Sequence, residues 1–117
     1  MPFKLIYITT PTVDSATEIA EALLREGLIA CANILPGMLS MYEWEGKLRK
    51  EPEALLLCKS TSYMVPRIVE RVRALHPHEV PCVTSVPIFG GNPDYLSWVG
   101  RTCVAHKPDG VSPALKV

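Results

Sequence analysis

The spacing of hydrophobic and polar residues changes several times along this chain, and each change marks an element. Residues 3–10 (FKLIYITT) are rich in β-branched and aromatic side chains and stop at Pro11, which predicts a first strand. Ala16, Ile19, Ala20 and Leu23 then recur at the spacing of one helix face. Asp14 or Ser15 is the expected cap, with Glu18 three residues after Ser15 completing a capping box. Gly27 closes this helix, which is placed over residues 15–26. A second strand follows over 28–35, carrying the small triplet Ala30-Cys31-Ala32.

Pro36-Gly37 interrupts that strand, after which Tyr42 and Trp44 alternate with Glu43 and Glu45. A two-residue period predicts an extended arm with one aromatic face. Glu45-Gly46 reads as a tight turn, and Lys47-Leu48-Arg49 begins the return. No helix nearby in sequence can cover the two aromatics, and uncovered aromatic area of this kind marks a partner surface. Residues 36–48 are therefore expected to be an oligomerisation arm.

Residues 53–61 form a third strand, whose unbroken apolar run over 54–58 implies burial on both faces and a central place in the sheet. Ser60, Thr61 or Ser62 is expected to cap a second helix, which tolerates Pro66 in its first turn. Val65, Ile68, Val69, Val72 and Leu75 form its core stripe, Arg67, Arg71 and Arg73 face outward, and Pro77 ends it. Residues 80–89 make a fourth strand, assigned to an edge by its two prolines. Asn92-Pro93-Asp94 starts a short helix that places Tyr95, Trp98 and Val99 on one face and ends at Gly100. From residue 103 to 117 the periodicity is lost, so a single domain over 1–102 with a flexible tail over 103–117 is expected.

The order β-α-β, β-α-β, then a terminal helix predicts an α+β fold. Two helices on one face of a four-stranded antiparallel sheet make the split βαβ, or ferredoxin-like, sandwich. The arm extends one of the two sheet edges, and edge pairing between copies would bury Tyr42 and Trp44 together.

Composition narrows the function. The 117 residues suit one domain, and 48% hydrophobic content suits a globular core. Twelve basic and twelve acidic residues cancel, leaving no field to draw nucleic acid or an anionic membrane. No run approaches the ~20 apolar residues of a membrane span, and the start of the chain is too strand-like for a secretory signal. Cytoplasmic location is the expectation. Cys31, Cys58, Cys82 and Cys103 show no CxxC spacing and read as buried thiols, three of them within predicted strands.

Several stretches resemble the CutA, or divalent-cation-tolerance, family. They are Thr9-Thr10-Pro11, LIACANILPG at 28–37, YEWEGKL at 42–48, LHPHEVP at 75–81 and GNPDYLSWV at 91–99. The resemblance covers roughly residues 5–99. The resemblance implies a ferredoxin-like subunit in a tight homotrimer whose long hairpin reaches its neighbours, akin to PII-like signalling proteins in architecture. It also implies a part in tolerance to copper or another divalent metal ion. Some members bind copper through a first-strand cysteine and a His-His pair closing the second helix. The corresponding positions here are Ile8, Leu75 and His76, so only the last keeps a ligand, and Cys82 stands where the family has an acid.

The remaining ligand chemistry is the cluster His76, His78 and Cys82, with Glu79 between them. Imidazole and thiolate suit copper or zinc, and the thiolate favours reduced copper. A structural alternative keeps His76 as the closing residue of the helix, where an imidazole meets the terminal carbonyls. Tyr42, Trp44, Tyr95 and Trp98, with Lys59, are the candidate walls of a small-ligand cleft between subunits, to which Lys47 and Glu45 could add polar groups; interface packing is the alternative. Nothing in the sequence forms a paired-carboxylate, Ser-His-Asp or Cys-His catalytic set. The RNP aromatics of an RNA-binding module, the MxCxxC of a copper chaperone and an arginine-bearing anion cradle are also missing. The expectation is a non-catalytic homotrimer in divalent-cation (copper) tolerance. The alternative is a PII-like signalling or scaffold module that binds a small ligand or a protein at its intersubunit clefts.

Overall fold

The computed structural model describes residues 2–104. Strand β1 (Phe3–Thr10) lies where its alternation places it, with Ile6, Ile8 and Thr10 buried and the odd positions partly open. Helix α1 (Val13–Arg25) begins before Ser15 because the cap is Thr12. The Ser15 amide donates to Thr12 Oγ1 at 3.0 Å, and the Thr12 amide donates to Ser15 Oγ at 3.2 Å. Ser15 thus supplies the returning half of the capping box, and Glu18 is not part of it. Ala16, Ile19, Ala20 and Leu23 are buried, as their spacing requires.

Strands β2 (Cys31–Trp44) and β3 (Lys47–Thr61) form one long antiparallel ribbon that includes the arm. Pro36-Gly37 does not end β2. Leu35 pairs with Leu55 and Met38 with Glu53, so three steps on β2 match two on β3, and the extra residue is absorbed as a bulge. Gly37 takes it up at φ +77°. At the tip, Trp44 pairs with Lys47 across Glu45-Gly46, both at positive φ (52° and 77°), which is the right-twisted two-residue turn.

The strand order is β2-β3-β1-β4, antiparallel throughout, which is the ferredoxin-like order. As predicted, β3 is central and β4 (Val83–Pro87) is an edge. β4 is shorter than the expected 80–89 because its approach is held as a loop, joined to β1 by the Thr9 amide donating to the Cys82 carbonyl at 3.4 Å.

Helix α2 (Val65–Leu75) follows a single 3-10 turn, Ser62–Met64. Its N-cap is Met64, with no side-chain cap, so none of Ser60, Thr61 and Ser62 caps it. Ser60 is instead buried in the sheet, where its hydroxyl donates to the Leu28 carbonyl at 2.6 Å. Of the expected core stripe, Ile68 and Val72 are fully buried, Val65 and Val69 partly, and Leu75 is exposed. Arg71 does not simply face water: its Nε donates to the Glu26 carboxylate at 2.8 and 3.0 Å, joining α2 to the end of α1.

Helix α3 (Pro93–Thr102) is capped by Asn92, whose Oδ1 accepts from the Asp94 amide at 3.1 Å. It runs past Gly100, and Cys103, assigned by the sequence to a tail, is buried behind it. The rest of that tail, 105–117, lies outside the described residues.

Helices α1 and α2 cover one sheet face over a core of Ile6, Ile8, Leu56, Cys58, Ile19, Leu23, Ile68 and Val72. The opposite face carries Leu5, Tyr7, Leu35, Leu55, Leu57 and Val86, and α3 reaches only its end at Phe3 and Cys31. Leu35 and Val86 are exposed and the others are half-buried. The unbroken apolar run of β3 thus finds a core for Ala54, Leu56 and Cys58 but only partial cover for Leu55 and Leu57.

Candidate functional site

Cross-strand register assembles the site on this second face. Beyond the bulge, Met38, Ser40, Tyr42 and Trp44 share the face of Lys47, Arg49, Glu51 and Glu53. The loop between α2 and β4 brings His78, Glu79, Val80 and Cys82 alongside Thr9. Between the ribbon and this loop lies a cavity of about 670 Å³, in the size range of small-ligand sites. Tyr42, Trp44 and Arg49 line it from the ribbon, His78 and Cys82 from the loop, and Tyr7 from β1.

His76 closes α2 and is buried. Its Nδ1 accepts the His78 backbone N–H at 3.0 Å, so the ring proton sits on Nε2 and is donated to the Thr9 carbonyl at 2.7 Å. Both ring nitrogens are committed to holding the loop: Nε2 carries the proton and the Nδ1 lone pair is taken by the His78 amide, so the ring has none to give a metal. The His78 ring lies against it, with centroids 4.9 Å apart. The three-residue ligand cluster therefore divides into a positioning residue, His76, and two donors on the cavity wall, His78 and Cys82. Among the described residues, no three His, Cys, Asp or Glu side chains are grouped closely enough to hold one metal ion.

The aromatic set divides as well. Tyr42 and Trp44 line the cavity, whereas Tyr95 and Trp98 pack together on α3, ring centroids 5.7 Å apart, against Ala30, Cys31 and Phe3. Tyr95 Oη is 3.1 Å from Cys31 Sγ, and burial, then that contact, push its pKa up to about 12, so the phenol keeps its proton. Lys59 is occupied nearby, where Nζ donates to Asn33 Oδ1 at 2.9 Å. The cysteines are thiols in differing surroundings: Cys58 and Cys103 are buried, Cys31 is half-buried, and Cys82 is exposed because it precedes β4 rather than sitting within a strand.

Sequence reasoning missed Arg49, Tyr7 and Glu53 as cavity residues. Arg49 was recoverable from the turn, since fixing Glu45-Gly46 sets Tyr42 opposite Arg49. It also missed a second apolar face of the arm, on which Leu39, Met41 and Leu48 are 57–66% exposed.

The profile of the CutA1 divalent ion tolerance protein family matches residues 4–102. The chain belongs to the CutA1 family. A CutA divalent-cation tolerance protein of Thermus thermophilus is 45% identical over 96 residues, 82% of this chain and 93% of its own length. The frog Xenopus laevis CutA homologue is 47% identical over 94 residues, 80% of this chain but 62% of its own length, and the human CutA is 41% identical over 93 residues, 80% and 52% respectively. The chain thus spans nearly all of the bacterial relative and about half to three-fifths of these animal ones. Among solved structures, the Thermus thermophilus CutA1 superposes with a TM-score of 0.86 at 42% identity, covering 87% of this chain and 99% of that one. The periplasmic divalent cation tolerance protein CutA of Archaeoglobus fulgidus gives 0.85 at 34% identity, covering 87% and 99%.

Proposed function

We propose that this CutA1-family chain acts in divalent-cation tolerance as a cytoplasmic, non-catalytic homotrimer that binds a metal ion, copper being the best match to its donors. The metal reading is carried by one observation: His78 and Cys82 line the same cavity wall, on a loop that His76 fixes from behind. Imidazole and thiolate together suit copper. Two donors are fewer than a closed zinc site needs, so the remaining positions would be filled by a neighbouring copy. Assembly is supported by the exposed Leu35 and Val86 of the second sheet face and by the exposed aliphatic side of the arm, Leu39, Met41 and Leu48, which a neighbouring subunit of a ring can cover.

Titration calorimetry with Cu(I), Cu(II) and Zn(II) on native protein and on a His78→Ala/Cys82→Ala variant tests this reading. Copper binding at micromolar affinity or tighter, lost in the variant, is the expected result; binding unchanged by the variant overturns the site. A second reading, a PII-like module that binds a small ligand, is favoured by Tyr42 and Trp44 walling the 670 Å³ cavity.

A further inference from the structure

We infer that the cavity between the ribbon and the 76–82 loop takes a small planar carboxylate, stacked on Tyr42 and Trp44 with its anionic group held by Arg49. This inference rests on the second reading above and names the ligand class. Arg49 stands directly across the ribbon from Tyr42 and two positions from Trp44's partner, Lys47, so the guanidinium and both rings lie on one face. The ion pairs of the described residues join Arg25 to Glu21 and Arg71 to Glu26; Arg49 enters neither and makes no side-chain hydrogen bond among them. A guanidinium carried by a cavity wall, exposed and with no protein acceptor among the described residues, suits a carboxylate, which it can meet with two parallel N–H donors. Flat aromatic faces beside it favour a flat partner over a puckered one.

The two acids in the lining set the ligand's direction. Glu53 is four residues from Arg49 on an extended strand, ~13 Å away, and Glu79 is on the loop wall. A carboxylate is drawn to the arm end of the cavity and repelled from the Glu53 end. The arm's aliphatic side, Leu39, Met41 and Leu48, faces away from the cavity, so its cover by a neighbouring subunit leaves the aromatic side available.

The test uses the full chain and observes the Trp44 and Trp98 indole N–H resonances while titrating benzoate, cyclohexanecarboxylate, benzamide and benzylammonium. Benzoate is expected to bind at millimolar affinity or tighter and to move Trp44 but not Trp98. Cyclohexanecarboxylate and benzamide should each bind at least tenfold more weakly. Arg49→Gln should weaken benzoate at least tenfold, Arg49→Lys less, and His78→Ala/Cys82→Ala little. Benzylammonium binding in place of benzoate, or cyclohexanecarboxylate binding equally well, overturns the ligand class while leaving a small-ligand cavity. If no probe moves Trp44 in an intact assembly, the cavity is filled by the neighbouring copy, and both this inference and the reading beneath it fall. Benzoate binding that is lost in the His78/Cys82 variant assigns the anion to a metal and overturns the role of Arg49.

Discussion

His76 Nε2 donates to the carbonyl oxygen of Thr9 at 2.7 Å, a bond between groups 67 residues apart that ties the end of α2 to β1. Its other nitrogen receives the His78 N–H, so a single buried ring sets both the loop's path and the face His78 presents. Loss of the ring leaves a carbonyl and an amide without partners. His76→Ala is expected to cost about 3 kcal/mol of stability, from two broken hydrogen bonds with partners near the interior. Urea denaturation checks this. A loss below about 0.5 kcal/mol would show that the ring is a surface group and is available as a ligand after all.

The arm's aliphatic side is where assembly should be most sensitive. Leu39→Glu places a charge at a residue that is 61% exposed in the single chain, so folding should be little affected. Within a trimer the same carboxylate would be buried without a partner. Sedimentation should show dissociation at micromolar concentration, while far-ultraviolet circular dichroism stays native. An unperturbed trimer would place the contact on another surface.

Thiol reactivity should follow exposure. Cys82, exposed at the cavity wall, should react first with a disulfide reagent, Cys31 more slowly, and Cys58 and Cys103 only as the protein unfolds. Mass mapping of the labelled sites against time reads this order. Early labelling of Cys58 would contradict its burial in the core.

Alkaline stability follows from Cys58. Burial pushes its pKa from 9.0 up to about 12, nearby Cys31 adds to this, and Lys59 opposes it. In the unfolded chain the thiol ionises at its ordinary value, so the folded state holds the extra proton between the two. This stabilising contribution is complete below pH 9 and is lost as pH rises to about 12. Tyr95, raised from 10.0 to about 12, acts in the same direction. The urea midpoint should fall between pH 8 and pH 11, and fall less in Cys58→Ala. Equal slopes in the two proteins would assign the alkaline loss to other groups.

What the sequence disclosed was whatever depends on near neighbours. The alternation of β1 and the buried stripe of α1 follow from side-chain period alone, as does the turn at Glu45-Gly46. His78 and Cys82 were identifiable as donors because they are only four residues apart. The role of His76 was hidden, because choosing between ligand and structural ring needs the position of Thr9, far away in the chain. Tyr95 and Trp98 looked like partners of Tyr42 and Trp44 by residue type, but α3 packs at the other end of the sheet face. The aliphatic side of the arm was missed because Pro36-Gly37 breaks the alternation that would have linked Leu39 and Met41 to a face.

The register shift between Leu35 and Met38 has one more effect. It exchanges odd for even along β2: odd-numbered β2 residues share the second face before it and even-numbered ones after it, while β3 keeps its odd-numbered residues on that face throughout. Removing one cross-strand pair beyond it, such as Ser40 with Glu51, would turn Tyr42, Trp44 and Arg49 toward the helix side, while leaving the ribbon fully paired. Such a chain would keep its secondary structure and lose its cavity. The ribbon's outer part can therefore be lengthened or trimmed only in even steps, a rule that anyone grafting this arm onto another scaffold must follow.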